Sequence, residues 1–333
     1  MPNRKPTAVA IAGLLALTVA LPLLPASRAN AQEVVQDEGA AYRAWHDASQ
    51  AGDNVKALAA AKDYLAKYPS GQYADFVKKW IPNALMASLD AAIKEKRTAD
   101  VITIGRQLLE SDPENLNVLY AVAFNIRRNE LLASPASYQN AAVAVELAKK
   151  AIALIGAGKT LTGVQNFDKS ATLAWLTQIL ALNEQKNGTP QGAIKLYEQS
   201  TGFAPQDVQL AGRNLLAVVA LRQSAYTDAA KAYNTVLSAV PESDRAAADT
   251  KPEVKAARDR INVEADGLID TAARFVALAK VKGLPAATRD RVNQTLESVY
   301  KTRFPEDAGL AGLQKILQEK EAALAAPAAS SGD

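Results

Sequence analysis

The sequence predicts an all-α protein: a right-handed α-solenoid of about five helix pairs followed by C-terminal helices. Three observations carry this expectation. Between Ser170 and Pro241 one helix–turn–helix pattern runs twice in succession. Leu180-Ala181, Asn187-Gly188-Thr189-Pro190, Ala193, Tyr197 and Pro205 are followed by Leu216-Ala217, Ser224-Ala225-Tyr226, Ala229, Tyr233 and Pro241. The same interval separates Ala193 from Ala229, Tyr197 from Tyr233 and Pro205 from Pro241, and it lies near the ~34-residue period of helical-pair repeats. Elsewhere apolar residues recur at helical spacing, and no segment alternates as a half-buried strand does. Aromatic residues make up only 6% of the chain and alanine is abundant, which suits close helix–helix packing.

The first 31 residues read as a secretory leader. Arg4 and Lys5 form a basic start, Ala8 to Leu24 an apolar segment broken by Pro22, and Ala29-Asn30-Ala31 a small-x-small cleavage site before Gln32. The apolar segment is at or below the ~17–25 residues that a spanning helix needs. Cleavage removes three of the 38 basic residues (Arg4, Lys5, Arg28) and none of the 35 acidic ones, so the mature chain is formally neutral. A nucleic-acid binder carries a basic surplus or stripe, and none is present. With no cysteine, the chain has no disulfide framework, no thiol catalysis and no lipid-bearing residue. No transmembrane segment is expected after the leader is removed.

In chain order, residues 32–39 form a polar lead-in. A helix over Ala40–Ser49 carries Tyr42 and Trp45, and Gln50-Ala51-Gly52-Asp53 turns into a second helix, Val55–Tyr68, ended by Pro69. Ala57 and Ala61 are its small contacts. Tyr73–Lys94, kinked near Pro82, pairs with Ala99–Leu109, which ends before Pro113. Leu116–Leu132 carries the stripe Leu119, Val122, Ala123 and Ile126. It pairs with Tyr138–Ile155, where Ala144, Ala148, Ala151 and Ile152 are in register before Gly156-Ala157-Gly158. Thr189 with Pro190 behind it, and Asp207, are placed as helix caps. After the repeats (40–241) comes a C-terminal helical region and cap (242–325). It comprises a polar connection, Glu253–Lys282, a break at Gly283-Leu284-Pro285, Ala286–Arg303, and Asp307–Leu324 with one wet face. Residues 326–333 read as a disordered tail.

The repeats resemble tetratricopeptide repeats. The likeness rests on the large-apolar/small pairs Leu180-Ala181, Leu216-Ala217 and Val122-Ala123, and on the turn glycine or its substitute. It rests also on Ala57, Ala144, Ala193 and Ala229, the aromatics Tyr197 and Tyr233, and the closing Pro69, Pro113, Pro205 and Pro241. It covers about Ala40 to Pro241. The family's tryptophan near the start of each repeat has no counterpart, since Trp45 and Trp175 stand elsewhere. Tyr64-Leu65-Ala66-Lys67-Tyr68-Pro69-Ser70 is also similar to repeats of bacterial envelope proteins, although the lipid-bearing cysteine of the outer-membrane assembly lipoproteins is missing.

The tetratricopeptide resemblance implies that an extended peptide or a helix lies in a concave groove lined by the first helices. Carried onto matching positions, it implies groove residues Asn117, Tyr120, Phe124, Arg127 and Arg128. Trp175, Gln178, Leu182 and Lys186 follow, then Asn214, Val218 and Arg222. Amide and guanidinium donors can hold peptide carbonyls or a carboxylate, and aromatics supply apolar contact.

Chemistry is poorly represented. Ala153 to Thr160, with Gly158-Lys159-Thr160 at its end, lacks the first glycine and the preceding strand of a phosphate loop. His46 is the only histidine, so neither a multi-histidine metal site nor a serine triad with its Gly-x-Ser-x-Gly elbow can be assembled. Asp37-Glu38 and Glu306-Asp307 sit where they complement helix dipoles. Asn187-Gly-Thr189 and Asn293-Gln-Thr295 match glycosylation sequons.

The expectation is therefore an exported, periplasmic or secreted bacterial scaffold that binds a protein or peptide, with no catalytic residue, metal or cofactor. The alternatives are an accessory or structural subunit of an envelope complex, or an enzyme or glycan-handling protein with a site in the C-terminal helices. The leader reading is checked by intact mass. The exported product is expected to begin at Gln32, and a mature chain beginning near Met1 would refute it.

Overall fold

The computed structural model describes residues 27–163 and 167–325, with side chains from residue 37 onward. The apolar segment of the leader (Ala8–Leu24) and the tail (326–333) lie outside the described residues. Twelve α-helices and no strand are found among the described residues. They are α1 (Ser27–Gln50), α2 (Asn54–Lys67), α3 (Ala74–Lys94), α4 (Thr98–Ser111), α5 (Leu116–Ile126) and α6 (Ala141–Gly156). The remainder are α7 (Lys169–Asn187), α8 (Pro190–Phe203), α9 (Val208–Ser238), α10 (Pro252–Lys282), α11 (Ala286–Arg303) and α12 (Ala311–Ala325). A π-helical turn, Arg127–Leu131, continues α5, and a 3₁₀ segment, Glu242–Thr250, precedes α10.

The backbone divides into two compact units, one ending at Ala84 and one beginning at Leu85. In the first, α1 packs on α2 around Trp45, Ala57, Ala61, Tyr64, Ala74 and Val77. The alanines bring the two backbones close, and aromatics fill what remains. Tyr42 stacks on Tyr73 at 3.8 Å, and Trp80 meets Trp45 edge-on at 5.4 Å. Tyr64 donates to Glu38 Oε1 (2.6 Å) and accepts from the Tyr73 amide (3.1 Å). Burial, with the Glu38 carboxylate beside it, pushes the Tyr64 phenol up to about 12. α1 begins at Ser27 rather than Ala40, so Ala29, Ala31 and Gln32 of the expected cleavage site and the polar lead-in lie on its helical backbone.

In the second unit each helix from α4 to α10 packs on the next, and α12 packs on α10. Short connections between contacting neighbours make them antiparallel. The stripes read from the sequence are buried at Leu119, Val122, Ala123 and Ile126 on α5 and at Ala144, Ala148 and Ala151 on α6, but Ile152 is only half-buried and Ile155 takes the inner place. Gly105 on α4 matters here, because a Cβ at that position would overlap the Val122 side chain. Caps fall where the short polar side chains stand. Thr189 Oγ1 accepts from the Gly192 amide at 3.1 Å with Pro190 at the first helical position, and Asp207 Oδ1 accepts from the Leu210 amide at 3.0 Å. Gly283 ends α10 in the left-handed region (φ 70°).

One expectation is corrected. The sequence reading places a turn at Ser224-Ala225-Tyr226, making 208–241 a helix pair. The structure instead runs one 31-residue helix, α9, through it. The physical reason is local and tertiary together. The three residues include neither glycine nor proline, so nothing there breaks a helix. α10, also 31 residues long, packs along α9 and supplies a continuous partner. Tyr226 packs against the C-terminal core, which is built from Ala211, Leu215 and Val219 of α9, Leu268 and Phe275 of α10, Leu296 of α11 and Leu313 of α12. The C-terminal helices are therefore part of the main core.

Ala225→Pro follows as a test. A proline within a continuous helix removes a hydrogen bond and clashes with the preceding turn, costing about 3 kcal/mol or more. Chemical denaturation is expected to show a loss of that size, whereas a turn at this place would accept proline with little change.

Candidate functional site

Most of the residues singled out from the sequence fall into an upper and a lower layer on α5, its π-turn, α7 and α9. Five of the twelve are buried: Arg127 (6% exposed), Gln178 (1%), Leu182 (8%), Asn214 (0%) and Val218 (1%). Helical spacing explains why. Arg127 follows Phe124 by three residues, and Gln178 follows Trp175 by three, so each pair shares a helix side and one member stands deeper.

Three of these five, Arg127, Gln178 and Asn214, form a hydrogen-bond chain, while Leu182 and Val218 are buried apolar residues. Arg127 donates from Nε (2.8 Å) and a terminal guanidinium nitrogen (2.5 Å) to Gln178 Oε1. Gln178 Nε2 donates to Asn214 Oδ1 (2.5 Å), and Asn214 Nδ2 donates to Ser200 Oγ (3.0 Å) and Thr201 Oγ1 (3.2 Å). Ser200 Oγ donates in turn to the Ala174 carbonyl at 2.7 Å. The π-turn, α7, α9 and α8 are thereby fixed in register. Arg127 has no carboxylate in this chain. Burial, with Arg213 adding repulsion, brings its guanidinium down to about 10. These residues hold the helices together and are not open to a partner.

The shallow members make a half-exposed aromatic stripe. Tyr120 stacks on Phe124 (5.4 Å, 25° between planes), and Phe124 meets the Trp175 ring at 5.3 Å. Trp175 Nε1 donates to Asp207 Oδ2 at 3.2 Å, which fixes the indole across the helix boundary. Arg127 lies 5.3 Å from the centre of the Phe124 ring. Desolvation pushes the Tyr120 phenol up to about 12. Arg128 is exposed beside this stripe.

The remaining candidates are elsewhere. Asn117 is committed to the loop after α6: its Nδ2 donates to the Thr162 carbonyl (2.9 Å) and its Oδ1 accepts from the Thr162 amide (2.9 Å). Lys186 is exposed near the Tyr138 ring. Arg222 donates to Glu198 Oε1 at 3.2 Å beside Gly267, where a Cβ would strike the guanidinium. What the sequence reading missed is a cleft next to the aromatic stripe, about 390 Å³, lined by Tyr120, Phe124, Asn125 and Arg128 with Lys94 at the end of α3 and Lys96 in the turn after it. The signal was faint, because nothing in the chain marks a π-turn in advance.

For chemistry there is little to assemble. Among the described residues no group of three or more His, Asp or Glu could hold a metal ion, and no helix is long and apolar enough to cross a membrane. The phosphate-loop-like segment is the C-terminus of α6, with Lys159 paired to Glu114 at 2.6 Å. Compared with known proteins, the chain matches no family model, no curated protein and no solved structure.

The chain of hydrogen bonds makes a stability prediction. Gln178→Leu leaves the Arg127 guanidinium buried without its acceptor and is expected to cost about 3–5 kcal/mol in urea denaturation. Adding Arg127→Met, which removes the stranded charge, should restore most of that loss.

Proposed function

We propose that this chain is an exported, non-enzymatic binding protein. In this reading its helix pairs stack as a tetratricopeptide-like α-solenoid and grip a peptide or partner protein on the face formed by α5 and α7. The observation that carries it is the stripe Tyr120, Phe124 and Trp175, half-exposed and fixed from below. Large rings held rigid at a surface lose little entropy on binding, which is why such residues dominate interface energetics. The antiparallel packing of successive helices in the second unit and the repeat pattern of the sequence support the solenoid reading. The leader of residues 1–31 supports export.

The test is affinity capture from envelope extract with the wild-type chain and with Phe124→Ala/Trp175→Ala, both checked for unchanged helicity. Losing two anchors of this kind costs about 2 kcal/mol or more, roughly a 30-fold weakening. Partner recovery should therefore collapse. Equal recovery with both proteins would remove the α5–α7 face as the binding surface.

A further inference from the structure

The cleft beside the aromatic stripe combines features that a solvated helix face does not need. Lys94, Lys96 and Arg128 line it. None of the three side chains makes a hydrogen bond or ion pair with the described residues. Of the carboxylates nearest in sequence, Asp90 stands exposed one turn before Lys94 and outside the cleft lining; the others are engaged. Glu95 and Asp100 both pair with Arg97, while Glu130 accepts from Asn140 at 2.7 Å. No acidic residue lines the cleft, so its lining carries positive charge only.

A second, independent feature is Asn125. It is 5% exposed, lines the same cleft, and its buried Oδ1 has no hydrogen-bond partner. A buried amide oxygen left without a donor is destabilising, and an N–H donor of a ligand in the cleft would relieve it.

The backbone is unusual on both walls. Lys96 has φ 58°, in the left-handed region where this chain elsewhere uses Gly52 and Gly283 to end helices. The other non-glycine residue with positive φ, Leu310, packs its side chain against the C-terminal core. Lys96 instead lines the cleft. On the opposite wall, the π-turn closes with the Leu132 amide bonded to the Arg127 carbonyl (3.0 Å). That widened turn carries Arg128 and Asn129 to the cleft while Arg127 stays buried. Turns of this kind occur often at functional positions.

We propose that this cleft receives an acidic side chain of the bound peptide, with the apolar residue next to it packed on Tyr120 and Phe124. The carboxylate would be held by Lys94, Lys96 and Arg128, and the Asn125 amide would meet the peptide backbone. This rests on the peptide-binding reading above and narrows it to a partner segment in which Asp or Glu alternates with apolar residues. The occupant follows from charge complementarity: three cations without counter-ions beside an aromatic wall.

The experiment uses the full exported chain and two acetylated, amidated octapeptides, one alternating Glu with Leu and one alternating Gln with Leu, titrated calorimetrically at low salt. Blocking both ends removes the terminal charges, so a side-chain carboxylate is what is read. The Glu peptide is expected to bind at least tenfold more tightly, and its advantage should shrink with added salt. Lys94→Gln/Lys96→Gln/Arg128→Gln should abolish the difference. Asn125→Leu and Lys96→Gly should weaken Glu-peptide binding while leaving the melting temperature equal or higher, a combination that a purely structural role would not produce. Equal affinity for the two peptides, with both weakened by Phe124→Ala/Trp175→Ala, would overturn the acidic-anchor inference and leave the aromatic face standing. Binding of neither peptide would overturn the inference; capture from envelope extract then tests the aromatic face by itself. Inorganic phosphate or benzoate binding as tightly as the Glu peptide would overturn it in favour of a small-anion site.

Discussion

The buried guanidinium of Arg127 is the constraint on which the second unit's arrangement depends. A charge taken out of water without a carboxylate must be met by neutral acceptors, or the penalty runs to several kcal/mol. Gln178 supplies the acceptor, and its own amide then needs Asn214, whose amide needs Ser200 and Thr201. Each hydrogen bond leaves one polar group that the next helix must satisfy. The chain therefore fixes the π-turn, α7, α9 and α8 to one another more specifically than alanine-rich packing could, because apolar surfaces tolerate sliding and directional bonds do not.

That rigidity has consequences at the surface. Phe124 lies over Arg127, and Trp175 is tied to Asp207, which also caps α9. The rings that face outward are thus positioned by the same network that joins the helices. The π-turn serves both ends: it begins at Arg127, buried in the network, and one residue later presents Arg128 to the cleft. Binding surface and structural spine share a single irregular turn.

The first unit is held differently. Its core contains a tight knot of aromatics around three buried alanines, with Tyr64 bridging Glu38 to the Tyr73 amide. The long α9–α10 hairpin is held differently again, by a broad apolar seam that α11 and α12 extend. Three modes of helix packing thus follow one another along a chain whose local sequence pattern changes little.

Periodicity by itself determined that the protein is helical, which residues of α5 and most of those of α6 face inward, and where Thr189, Asp207 and Gly283 begin or end helices, because each of these depends on neighbours within one or two turns. Tyr120, Phe124 and Trp175 came forward only among the twelve groove positions that the tetratricopeptide resemblance implies, and the structure brings these three together. Depth was beyond periodicity: Gln178 and Asn214 have the same local spacing as exposed amides, and only the approach of α5, α8 and α9 buries them. The continuous α9 was beyond it too. Ser224-Ala225-Tyr226 contains no helix breaker, yet the repeat pattern placed a turn there, and α10 and the C-terminal core packed along α9 hold it continuous. The π-turn and its cleft likewise arise between segments distant in the chain. Local chemistry chooses helix over strand, while the free energy of burial, shared among elements that meet only after folding, decides which side chains remain available to a partner.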